Sequence, residues 1–138
     1  MIFEVNTDFA GIEADIQADV EEVRHILAMQ ILVDCNYFCK QDHSGLIASS
    51  ISKSELERGE LIWDTAYAVM QYYLGTASHD VNPNATKMWC AKAYAVFGAD
   101  WNTLLQKLFE MNASQRSALK GQLQSELKRL EDQYKGEG

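Results

Sequence analysis

The sequence predicts an α+β fold: a long N-terminal helix packed on a small antiparallel β-sheet, followed by C-terminal helices. Three observations carry this expectation. Ile12, Ile16, Val20, Val23, Leu27 and Ile31 recur at spacings of three and four, one apolar stripe of an amphipathic helix. Residues 46–51 and 60–63 read as two short strands around a polar stretch, 52–59. Beyond Pro83 the chain carries repeated helix-start residues and a leucine stripe at helical spacing.

Taken in order, Ile2-Phe3-Glu4-Val5 alternates weakly and suits a short strand. Thr7 or Asp8 can cap the first helix, which runs to about Asn36 with acidic residues on its outer face. Residues 37–45 lose the period, and 40–45 form a turn-rich loop. The strand pair 46–51 and 60–63 needs a helix against one face, since an isolated hairpin is marginal, and the first helix is its natural cover. Residues 67–74 are ambiguous: Ala66, Met70 and Tyr73 share a helical face, yet the aromatic content also suits a strand. Gly75 ends that element, 76–83 is a loop, and Pro83 sets its exit.

Asn84 can cap a helix over 85–97, stopped by Gly98, and Asp100 can start another through Met111. Ser114 then caps a last helix with a stripe of Leu119, Leu123, Leu127, Leu130 and Tyr134. Residues 135–138 read as a frayed tail. This divides the chain into a domain over 1–112 and a C-terminal amphipathic helix and tail over 113–138. The leucine stripe either folds back on the domain or packs on a neighbouring subunit, which makes Leu123, Leu127 and Leu130 candidate interface residues.

A chain of 138 residues that is 47% hydrophobic and 23% charged fits one domain with one core. No run approaches the roughly 18 to 20 apolar residues that span a bilayer. The opening residues lack a basic region followed by a long apolar run, so a chain kept in the cytosol is expected. The net charge of −8 is uneven: residues 1–60 carry 12 acids against four bases, while 61–138 carry eight of each. An acidic face repels phosphate, so sequence-specific nucleic-acid binding is not expected. A solvated helix face is the ordinary explanation; a surface that repels DNA or meets a basic partner is the sharper one.

Candidate chemistry is sparse. Cys35, Cys39 and His43 are spaced by fours and would share a face of one continuous helix, as a zinc site requires, but no fourth ligand is evident. Cys39 and His43 could form a nucleophile–base pair, without any residues that mark an oxyanion hole. With Cys90 the cysteine count is odd, which suits free thiols. Glu21 and Glu22, adjacent on a helix, point about 100° apart and do not converge. No catalytic, cofactor or metal site is expected.

The densest segment begins at Trp63, Thr65, Tyr67 and Ala68, continues through Tyr72, Tyr73 and Gly75, and ends at Asn82, Pro83, Ala85 and Trp89. Large aromatics of this kind anchor small cores, and Tyr and Trp are also enriched at interfaces. Trp63 and Trp101 are expected in the core. Tyr72 and Tyr73 are adjacent, so at least one faces outward, and both are candidate interface residues.

This order of residues resembles the minor capsid or head–tail joining (tail-completion) proteins of tailed bacteriophages. Their pattern is a helix, a Pro-x-Asp-Thr-Gly-x-Leu-Arg-x-Ser turn, a Trp-x-Thr-Pro-Tyr-Ala segment, a Tyr-Tyr-Gly, and an Asn-Pro-x-Ala entry into a Trp-containing helix. Asp42, Leu46 and Ser49 fall on the turn pattern. Trp63, Thr65, Tyr67 and Ala68 fall on the next segment, and Tyr72 and Tyr73 on Tyr-Tyr, with Gly75 one residue late. Asn82, Pro83, Ala85, Trp89, Lys92 and Trp101 match the remainder. The turn departs most: Lys40 replaces its Pro, His43 and Ser44 replace Thr-Gly, and Ile47 replaces its Arg; downstream, Ala66 replaces the second Pro. The likeness covers roughly residues 10–110, so the last helix lies outside it.

The resemblance implies a virion structural protein of the phage neck, assembled in the bacterial host cytoplasm. It implies a ring, hexameric by resemblance, with tail-terminator and head-completion or connector proteins as partners. An acidic lining from Asp19, Glu21 and Glu22 would let DNA pass such a ring without sticking. The alternative is a small acidic cytosolic adaptor or antitoxin-like protein that binds a basic partner.

Overall fold

Strand β1 (Ile2–Glu4) pairs antiparallel with strand β2 (Glu60–Ile62) in the register Ile2 with Ile62, Phe3 with Leu61 and Glu4 with Glu60. The ladder is extended at both ends: the Trp63 N–H donates to the Met1 carbonyl at 3.0 Å and the Val5 N–H to the Gly59 carbonyl at 2.7 Å. Gly59 makes this closure possible. Its φ of 74° is in the left-handed region, and a Cβ there would lie 3.2 Å from the Val5 oxygen.

The computed structural model describes residues 1–5, 17–40, 45–75 and 82–135. Between and after the strands come α1 (Gln17–Tyr37), α2 (Leu46–Lys53), a 3-10 turn (Leu56–Arg58), α3 (Ala68–Leu74), α4 (Trp89–Glu110) and α5 (Ala113–Lys135). The architecture is α+β, mostly helical, with β1 preceding the first helix. No helix among the described residues is long and apolar enough to cross a membrane.

Helix α1 is the axis of the fold. It packs against α4, α5, α2, β2 and the 3-10 turn. Val20, Val23 and Leu27 of the expected stripe are buried and Ile31 is half-buried; Ile12 and Ile16 lie outside the described residues. Ile26, Ala28, Met29, Leu32 and Cys35 are buried as well, so α1 is enclosed on more than one stripe. It touches β2, but its broader neighbours are helices.

Four expectations are corrected. Residues 46–51 are not a strand: they open α2, with Leu46, Ile47 and Ser50 buried on one helical face. The hydroxyls of Ser49 and Ser50 donate to the carbonyls of Leu46 and Ile47 at 2.8 and 2.7 Å, bonding that serines make inside helices. The partner of β2 is therefore β1, from the other end of the sequence. Gly98 does not stop a helix; α4 runs through it for 22 residues, and Gly98 is buried. A single interior glycine disfavours a helix by only about 1 kcal/mol, less than the packing of α4 on α1 supplies. Asn84 does not cap α4, which starts after Met88 at a left-handed φ of 52°.

The fourth concerns α5. Its cap is Asn112, not Ser114. The Gln115 N–H donates to Asn112 Oδ1 at 2.8 Å, and the Asn112 N–H to Gln115 Oε1 at 3.0 Å, a reciprocal capping box. Leu123 and Leu127 are buried in the same core as α1 and α4, and Leu119 and Tyr134 pack against it. The stripe folds back on the domain.

Candidate functional site

The aromatic segment is pulled into one lock. Trp63, which follows β2, and Trp89, which opens α4, are fully buried with ring centroids 6.0 Å apart. Tyr72 of α3 meets Trp89 edge-on at 4.7 Å, and Phe3 of β1 reaches Tyr72 at 5.3 Å and Trp63 at 5.8 Å. Edge-to-face pairs at these distances add to the area they bury. Four rings thus join four segments that are distant in sequence.

Polar groups fix the lock's orientation. The Trp63 Nε1–H donates to Asn36 Oδ1 at 3.1 Å, and the Asn36 amide donates to Ser50 Oγ at 2.9 Å, all within the core. The Tyr72 hydroxyl accepts from the Ala91 N–H at 3.3 Å, and the Tyr72 carbonyl accepts from the Met88 N–H at 2.7 Å. The side chain thereby satisfies one of the unpaired amides at the start of α4. Burial pushes the Tyr72 phenol up to about 12, so it stays protonated in this role.

Asn82 explains the Asn-Pro turn. It is buried, and its amide donates to the carbonyls of Cys39, Tyr37 and Asn36 at 2.8, 3.1 and 3.4 Å. These carbonyls lie at and beyond the end of α1, where the helix runs out of its own donors. Its own oxygen accepts from the Asn84 N–H at 3.1 Å, closing an Asx turn around Pro83. Pro83 is exposed and Ala85 half-buried.

The remaining residues of the pattern are placed as follows. Leu46 is buried, and Ser49 accepts a long bond from the Asp64 N–H at 3.4 Å. Ile47 is buried where the resemblance carries Arg, so here the position serves the core. The Thr65 carbonyl accepts from the Ala68 N–H at 3.2 Å as α3 begins, and Ala68 is buried. Gly75 ends α3 at a φ of 62°, where a Cβ would lie 3.3 Å from Lys87 Cβ. Trp101 is half-buried, and its Nε1–H donates to Asp34 Oδ2 at 2.7 Å. Asp42 lies outside the described residues.

Of the candidate interface residues, Tyr73 is 55% exposed, whereas Tyr72, Leu123 and Leu127 are spent on the chain's own core and Leu130 is half-buried. Helix α3 resolves the ambiguity over 67–74. Met70 and Tyr73 lie on its outward face, whereas Ala66 is exposed in the turn that precedes the helix. Val69 and Leu74 are exposed beside them, and Tyr67 stands exposed at the helix start, while Gln71 is buried. Sequence reasoning missed Val69 and Leu74; the signal was a lone Gln among apolar residues, pointing inward.

A separate apolar groove of about 330 Å³ runs between β1, α1 and α4. Phe3, Val5, Ile31, Tyr94, Trp101 and Leu105 contribute to it, and Glu4 is the one charged side chain among its described lining residues.

Cys35 and Cys39 are buried and Cys90 is half-buried. Burial, and then the neighbouring Cys35 thiol, push the Cys90 thiol far above its ordinary value, so it is no thiolate nucleophile. His43 lies outside the described residues, so its pairing with Cys39 does too. Among the described residues no cluster of three His, Cys, Asp or Glu side chains could hold a metal ion.

Comparison with protein-family models, with curated proteins and with solved structures finds no match to this chain.

Proposed function

We propose that this protein is a structural component of a bacteriophage neck, a ring subunit that joins head to tail through protein–protein contacts. The observation that carries the reading is the convergence of Trp63, Tyr72, Asn82 and Trp89 on one rigid lock beneath an exposed apolar helix. These are the positions on which the resemblance to head–tail joining proteins rests. In such an arrangement the kept residues hold a docking element in place rather than act on a substrate. Rigid support of this kind reduces the entropy lost when a partner binds. The acidic N-terminal half adds a surface that repels DNA phosphates.

The test is genetic and visual. Removing the gene from the phage that encodes it is expected to give DNA-filled heads and separate tails, with joining restored by the wild-type protein in trans. Intact, infectious particles without the protein would overturn the reading and favour an adaptor that binds a basic partner.

A further inference from the structure

The outward face of α3 is unusual for a helix on the surface. Val69, Met70, Tyr73 and Leu74 are 55%, 48%, 55% and 64% exposed, and Tyr67 is 63% exposed. Together they present on the order of 600 Å² of largely apolar surface, near the ~800 Å² that one partner gives to a standard interface. Scattered exposed apolar residues need no explanation, but five within eight positions form a patch.

The charge distribution points to the occupant. No charged residue occurs from Thr65 to Ser78, in a chain of net charge −8. The net charge sits in residues 1–60, so two copies repel through that half and can approach through an uncharged patch in the other. The same chain carries an apolar groove of about 330 Å³, room for one or two large side chains. The flanking charges match: Lys87 lies against Gly75 at the end of α3, and Glu4 lies at the groove.

We infer that α3 of one copy docks into the groove beside α4 of a second copy, with Tyr73 and Leu74 as the inserted side chains and Lys87 facing Glu4. Knob and groove are different surfaces, so the contact is head-to-tail and repeats from copy to copy, as a ring requires. The inference rests on the ring reading above and names its subunit contact.

The test places the photo-cross-linking amino acid p-benzoylphenylalanine at position 73 of the full chain, alone and in infected-cell lysate. Irradiation is expected to join position 73 to the α4 segment around Tyr94, Trp101 and Asn102 of another copy, in a ladder that extends past the dimer. Leu74→Asp is expected to weaken self-association at least tenfold while thermal unfolding stays unchanged, since Leu74 is exposed. Cross-links that run from 73 to 73, that reach only other proteins, or that do not form would overturn the contact. A ring-sized species that persists in Leu74→Asp would overturn it too, and would leave the joining role intact. Cross-links to α4 in a phage whose heads and tails join without the protein would keep the contact and remove the joining role.

Discussion

Trp63 and Asn82 show how single side chains carry the lock. Trp63 is fully buried and its N–H is bonded to Asn36, so Trp63→Ala removes both packing and a partner. The expected loss is about 3–5 kcal/mol of unfolding free energy, read by chemical denaturation. Asn82 donates one amide to three carbonyls near the end of α1. Asn82→Asp keeps the shape but turns a donor into an anion facing acceptors, and it is expected to destabilise more than Asn82→Ala, itself about 1–3 kcal/mol. The reverse order would contradict the capping role. Asp34 sets a pH dependence. Burial raises its pKa above 3.8, opposed by hydrogen bonds from Trp101 and Gln30. The folded state then binds the proton more tightly than the unfolded one. Its contribution is fully present below the unfolded value and is lost as pH rises through the folded value. Comparing wild type with Asp34→Asn from pH 3.8 upward should show this downward slope in the wild type and its absence in the variant. Asn82's place in the lock was legible in the sequence only as a turn former, because the helix end it satisfies lies more than 40 residues upstream.

Long periodic elements were legible and short ones were not. Helices α1 and α5 follow from stripes of four or more apolar residues at helical spacing. Residues 46–51 misled because Leu-Ile-Ala-Ser-Ser-Ile is too short to separate a period of 2 from one of 3.6. The β1–β2 pairing is non-local, and nothing within either three-residue strand names its partner. The cap of α5 was displaced by two residues because Asn112 with Gln115 makes the reciprocal bonds that Ser114 does not. Helix α5 is a working part of the core. Leu127→Ala is expected to lower unfolding free energy by about 2–5 kcal/mol, and a chain ended at residue 112 should lose cooperative unfolding. Substitutions on the outer face of α3, such as Val69→Ser, are expected to change stability by less than about 0.5 kcal/mol. A large loss there would mean that the face is core rather than contact surface.

At the scale of the whole molecule, one rigid lock, one exposed apolar helix and one acidic half are placed on a single small domain. Of the residues named for the acidic lining, Glu21 is exposed, whereas Glu22 lies 3.6 Å from the buried Arg116 guanidinium. Arg116 also donates to the Met111 carbonyl at 2.6 Å, so Glu22 helps tie α1 to the α4–α5 junction. Reversing Glu21 to Lys should therefore leave the fold intact and test the proposed DNA-repelling surface alone, while Glu22→Lys should also destabilise the chain. The measurement that tests the joining role most directly is native mass, taken on the purified protein alone and mixed with the neighbouring tail-terminator and head-completion proteins. A ring-sized species, alone or only in the mixture, is the predicted result. A strict monomer that ignores those partners would contradict it.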